Sequence, residues 1–145
     1  MTVVYVDMVA DLYHAGHVEF LRRARQIGDV LVVGIHDDTT VASYKRTPII
    51  PHDQREAVVA SCRYVDRVVP CAPLIVTDAF MDQHGIDIVA HAHGEEDEER
   101  YRAMYAAPAR RGRFRRPSRR ETLAGTPTRR RRTARASPTT AASRR

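Results

Sequence analysis

The chain has 145 residues, 43% of them hydrophobic and 29% charged, with a formal net charge of +6 at pH 7; that is room for one domain around a single core. Two cysteines, Cys62 and Cys71, exclude a disulfide scaffold and lack zinc-ligand spacing. No apolar run approaches the ~20 residues of a membrane span, and acids interrupt the N-terminus before a signal-peptide core forms, so a cytoplasmic protein is expected.

The mean charge hides a division. Residues 1–100 carry 17 Asp and Glu against nine Arg and Lys, whereas residues 101–145 carry 15 Arg and one Glu. An acidic body with a basic tail is the asymmetry any functional reading must accommodate.

In chain order, "TVVYVDMV" (2–9) is β-branched and apolar almost throughout, as a strand buried on both faces should be. "HVEFLRRARQIG" follows, with Phe20, Leu21, Ala24 and Ile27 on one helical face and Gly28 as a stop. "DVLVVGIH" (29–36) is a second buried strand, and residues 37–51 run from cap-forming aspartates to a Pro-bounded loop. Asp53 and Glu56 stand in capping-box spacing and predict a helix start, with Ala57, Val58, Cys62 and Val65 as its apolar face. "DRVVP" is a short third strand. "TDAFMDQHG" is a short helix with Thr77 as N-cap and Gly85 past its end, and "IDIVAH" (86–91) is a fourth strand.

Strand and helix alternate over some ninety residues without hairpin signals, so an α/β fold is expected. It is a Rossmann-like, doubly wound, open parallel sheet of four to five strands with helices on both faces. Ligands bind such sheets beyond the carboxyl ends of the strands. Those loops carry His14 and His17, the stretch Asp37 to Lys45, and His91 with His93.

His14 and His17 flank Gly16 between a strand end and the first turn of a helix. A helix N-terminus attracts phosphate, a glycine there lets backbone approach a ligand, and two imidazoles can donate hydrogen bonds to phosphate oxygens as charge builds. The pattern suits nucleotide transfer, in which a phosphate attacks the α-phosphorus of a nucleoside triphosphate and positioning does most of the work.

"DLYHAGHVEFLRRARQIGDVLVVGIHDD" resembles the HxGH signature and following strand of the nucleotidyltransferase superfamily. HxGH is shared with adenylyltransferases and class I aminoacyl-tRNA synthetases. The continuation "VASYKRTPII", "QREAVVASCRYVDRVVPCAPL" and "HGIDIVAH" resembles the cytidylyltransferases of phospholipid and polyol-phosphate metabolism, over residues 3 to 94. The resemblance implies CMP transfer from CTP, accompanied by Mg²⁺, to phosphoethanolamine or a polyol phosphate such as glycerol 3-phosphate, by a homodimer. It assigns His14 and His17 as transition-state residues and Lys45 as a phosphate contact. It places Asp11, Gly16, Arg55 and His91 at the nucleotide. Lys45 is also the only lysine of the chain, which suits a residue kept for its compact charge.

The sequence departs from that pattern in three places. Met8 and Ala10 stand where the family has glycine and an aromatic, and Ala92, His93 and Gly94 follow the fourth strand where "GDD" is common. "HAH" at a strand end has the i, i+2 spacing of a metal pair but no evident third ligand. The family's triphosphate-binding "RTxGISTT" has no counterpart. Beyond Pro108 the chain is rich in Arg and free of Lys, Ile and Val. That composition predicts a domain over 1–108 and a disordered tail over 109–145, produced by a shifted reading frame and binding nucleic acid only non-specifically.

Overall fold

The computed structural model describes residues 1–117. Five strands, β1 (Val3–Met8), β2 (Val30–Ile35), β3 (Arg67–Val69), β4 (Ile88–Ala90) and β5 (Phe114–Arg115), form one sheet in the order β3-β2-β1-β4-β5. Every pairing is parallel, with Val3 to Met8 opposite Val30 to Ile35 and Tyr5 opposite Val89. The expected doubly wound α/β fold is what the chain adopts.

Alternation along β1 divides the core into two layers. Val4 and Val6 pack with Leu31, Val33 and Ile35 on one face, under α1 (Ala15–Arg25) and α3 (His52–Ala60), which contribute Leu21, Ala24 and Val59. Tyr5 and Val32 face the other side, against Met81 of α4 (Asp78–His84) and Met104 of α5 (Glu98–Met104). The predicted face of α1 holds: Leu21 and Ala24 are fully buried, and Phe20 and Ile27 pack against that layer. α4 begins at the Thr77 cap, whose hydroxyl accepts from the Phe80 amide, and ends on Gly85 in the left-handed region.

Three expectations are corrected. α3 starts one residue before Asp53, behind Pro51, and no side chain caps it. Its buried side chains are Arg55 and Val59; Val58 is exposed, and Cys62 and Val65 lie beyond the helix end. The fold does not stop at Pro108. α6 (Ala106–Arg110) continues the chain, and β5 pairs with β4 and stacks Phe114 on Tyr105 with ring centroids 5.2 Å apart. The remainder of the expected tail, residues 118–145, lies outside the described residues.

Arg55 is the unusual core member, 1% exposed. Its Nε donates to the Ile50 carbonyl at 2.9 Å and its Nη1 to the carbonyls of His36, at 2.9 Å, and Val9. Its Nη2 meets Asp38 Oδ1 at 2.6 Å. One planar fork thus joins the segments following β1, following β2 and preceding α3. Arg55→Ala leaves buried carbonyls without donors, so it should cost about 3 kcal/mol or more in urea unfolding. A loss within 0.5 kcal/mol, as at an ordinary surface site, would show that the tie is not structural.

Candidate functional site

The strand order reverses between β1 and β4, where the chain winds outward in both directions. Such switch points open a crevice at the strands' carboxyl ends. Here it is a cleft of about 880 Å³, lined by Asp7 and Met8 of β1, the loop Val9 to Asp11, His14, Gly16 and His17, Lys45 and Arg46, and His91 after β4.

The HxGH residues build a reciprocal helix cap. His14 is the N-cap of α1, and its Nδ1 accepts from the Gly16 amide at 2.9 Å, while His17 Nδ1 accepts from the His14 amide at 3.1 Å. This is a capping box made of two imidazoles. The His17 amide is spent as well, on the His14 carbonyl at 2.9 Å. The expected attraction of phosphate to open helix-end amides is therefore replaced by something more directed. Each Nδ1 accepts, so each neutral ring carries its proton on Nε2 and is a donor there. The ring centroids are 4.3 Å apart. Burial, and then the proximity of His14, hold the pKa of His17 below the ordinary imidazole value, which favours the neutral donor.

Gly16 is required by close approach. A Cβ at this position would lie 2.6 Å from His14 Cε1. Ahead of the cap the loop is strained: Ala10 and Leu12 have φ of 56° and 48°, in the left-handed region that side chains disfavour. Between them Asp11 grips the loop before α3, its Oδ2 accepting from Ile49 N at 2.9 Å and its Oδ1 from Ile50 N at 3.0 Å. Asp11 lines the cleft but acts as a staple. Lys45 also lines the cleft, after α2 (Asp38–Ala42), its Nζ 5.3 Å from the Tyr44 ring centroid, within cation–π range.

Of the residues singled out from the sequence, His14, Gly16, His17, Asp11, Lys45 and His91 meet at this cleft. Arg55 does not line it, because its guanidinium is consumed beneath the loops. Two residues the sequence reading missed belong here. Asp7 is 3% exposed on the cleft floor, and the Tyr105 hydroxyl donates to its Oδ1 at 2.5 Å from 98 residues away. An acid inside an otherwise apolar buried strand was the available signal for Asp7. Nothing comparable marked Tyr105.

A family profile described as cytidylyltransferase-like matches residues 8–111. A probable ethanolamine-phosphate cytidylyltransferase of Encephalitozoon cuniculi is 46% identical over 100 residues, covering 68% of this chain and 31% of that protein. The ethanolamine-phosphate cytidylyltransferase of Arabidopsis thaliana is 42% identical over 99 residues, 67% of this chain and 24% of the relative. The chain thus spans a quarter to a third of the length of these relatives. A crystal structure of a lipopolysaccharide core biosynthesis protein from Thermoplasma volcanium shares the fold, with a TM-score of 0.64 at 23% identity over 81% of this chain and 97% of that one.

The Asp11 staple has a pH signature. The Ile49 and Ile50 amides hold the Asp11 pKa below its usual value. A depressed folded-state pKa means the contribution is complete above the unfolded value near ~3.9 and is lost as pH falls through the folded one. The two amides should therefore keep their hydrogen-bonded NMR shifts at pH 4.5 and lose them only once the pH has fallen below the unfolded value of ~3.9. Loss of both signatures already near pH 5 would contradict the staple.

Proposed function

This chain belongs to the cytidylyltransferase-like family, and from that premise we propose that its cleft transfers CMP from CTP to a phosphorylated small alcohol, phosphoethanolamine in the first instance. The observation that carries the reading is the reciprocal cap, which turns two neutral imidazoles into Nε2–H donors on one wall of a cleft at the switch point. A phosphate oxygen of the acceptor attacks the α-phosphorus of CTP. The new O–P bond forms as the bond to the β-phosphate bridging oxygen breaks, and pyrophosphate leaves with that electron pair. The two donors meet the charge that grows on the phosphate oxygens. Lys45, which also lines the cleft, adds a mobile point charge. The reading needs no protein nucleophile, since orientation and electrostatic stabilisation supply the acceleration.

Magnesium enters this scheme with the nucleotide. Among the described residues no group of three or more His, Cys, Asp or Glu could hold a metal ion. Asp11 has both oxygens on backbone amides, and Glu19 is paired with Arg22 and Arg23. Magnesium is commonly held by substrate phosphates and water with few protein ligands, so Mg²⁺ carried by CTP fits the cleft and would offset charge on the leaving pyrophosphate. The names of the two relatives above support phosphoethanolamine. So does the acidic floor: Asp7 Oδ2 is buried without a hydrogen-bond partner, and a cationic acceptor satisfies it where neutral glycerol 3-phosphate hydroxyls leave its charge uncompensated.

Pyrophosphate release from CTP and phosphoethanolamine tests the reading. His14→Ala and His17→Ala should each lower kcat by ~10²-fold or more while CTP affinity changes only a few-fold. Equal loss of binding and turnover would make the histidines structural. Gly16→Ala should displace the His14 ring and fall toward the His14→Ala rate, with Tm unchanged or raised because alanine favours helix. Full activity in Gly16→Ala would contradict the geometry of the cap.

A further inference from the structure

Leu12 and Tyr13 divide the loop before α1 against their polarity. Leu12, the more apolar of the two, is 54% exposed, while Tyr13 packs on the layer of Leu21 and Val59, together with Cys62 and Tyr64. The Tyr13 hydroxyl is buried; burial, and then the neighbouring Cys62 thiol, push its pKa up, so it stays protonated. A leucine there would fill the layer without taking a hydroxyl out of water. Packing alone therefore does not account for the tyrosine. What its ring does, and a leucine cannot, is stack. The Tyr13 ring lies against the imidazole of His17, with centroids 5.3 Å apart and planes 20° from parallel.

The His17 ring depends on its orientation. Its Nδ1 accepts from the His14 amide at 3.1 Å, so the neutral ring carries its proton on Nε2. A second proton has only Nδ1 to enter, and there it ends the cap bond. The cap thus favours the neutral ring, but only while the ring keeps the plane in which Nδ1 reaches the amide. A stacked phenol also attracts an imidazolium. The surrendered cap bond and the burial of the ring oppose that attraction, and the lowered pKa of His17 shows which side wins. The titratable groups against His17 are Tyr13 and His14, both from its own turn. The other acids and bases of the cleft, Asp7, Asp11, Glu19, Arg23, Lys45, Arg46 and His91, are not among the causes of its shift.

We propose that Tyr13 is a positioning residue: its ring, anchored in the core layer under α1 and α3, holds the His17 imidazole in the capping orientation and so keeps its Nε2–H a neutral donor at the cleft. The strain at Leu12 belongs to the same arrangement. The left-handed turn there, with φ of 48°, leaves the leucine outside and sends the phenol inward. The use made of the donor rests on the transfer reading above, but the orientation itself is read by titration, without turnover.

NMR titration of the histidine rings in the full chain tests it. His17 should carry its proton on Nε2 at pH 8 and become charged with a midpoint below the ordinary ~6.5. In Tyr13→Leu, which refills the core without a ring, the midpoint should rise toward ~6.5 and the Nε2–H preference should weaken. Tyr13→Phe, which keeps the ring, should behave as the parent. Turnover should follow the titration. In Tyr13→Leu the acid limb of kcat should move to higher pH with the His17 midpoint, and kcat at pH 8 should fall about tenfold while KM for CTP changes by less than about threefold. A residue that merely packs would lower Tm and leave the midpoint and the acid limb in place. A Tyr13→Leu protein with the parent midpoint, or a Tyr13→Phe protein that behaves like it, would overturn the proposal. So would a parent His17 that charges at or above ~6.5 or holds its proton on Nδ1, a result that needs no variant to fold. The expected titrations without any pyrophosphate release leave this proposal standing and remove the transfer reading. Release by the parent, with an unmoved His17 titration in Tyr13→Leu, does the reverse.

Discussion

The guanidinium of Arg55 is the interaction on which the cleft depends. The chain's chemistry sits on loops, and loops are free to move unless something binds them. Arg55 donates to Val9 behind β1, to His36 and Asp38 behind β2, and to Ile50 ahead of α3. Asp11 returns the tie by accepting from Ile49 and Ile50. Together they hold the His14 loop against the segment that precedes α3 before any ligand arrives. A buried cation is costly unless every donor is used, and here all three guanidinium nitrogens are used. The strain at Ala10 and Leu12 is held in place by the same ties.

With that loop fixed, the polarity of the site follows. His14, His17, Lys45 and Arg46 make it donor-rich and basic, while Asp7 leaves an acceptor on the floor between β1 and β4. A substrate with a phosphate at one end and a cation at the other matches that division. The division comes from topology as much as from residue type. β1 delivers Asp7 to the face packed by α5 and, seven residues later, His14 to the turn beyond the strand end.

Much of this was legible in the sequence, for physical reasons. Parallel strands buried on both faces read as continuous apolar runs, and α1 shows its buried stripe at helical spacing, so the layers could be read locally. His14, Gly16 and His17 were legible as a site because a strand, a glycine and a helix start coincide there. The role of Arg55 was not, because a side chain that reaches carbonyls of three segments leaves no trace in its own neighbourhood; the family resemblance placed it at the nucleotide, and the fold spends its guanidinium on the loops. Tyr105 was hidden for the same reason, since its partners Asp7 and His91 lie far from it in sequence. The fold's edge was misplaced at Pro108 because Arg-rich composition outweighed a two-residue strand, whose stability comes from β4 and from Phe114 packing on Tyr105 rather than from its own residues.

The central claim is that the cleft catalyses direct transfer, with oriented donors and no nucleotide bound covalently to the protein. The stereochemistry at the α-phosphorus tests it most directly. With CTP made chiral by sulfur at that position, phosphoethanolamine and magnesium, a single in-line displacement gives a CDP-ethanolamine analogue with inverted configuration, which ³¹P NMR resolves. Inversion is the predicted result. Retention, the mark of two displacements through a covalent intermediate on a residue such as His14 or His17, or the absence of any CDP-alcohol product, would contradict the account.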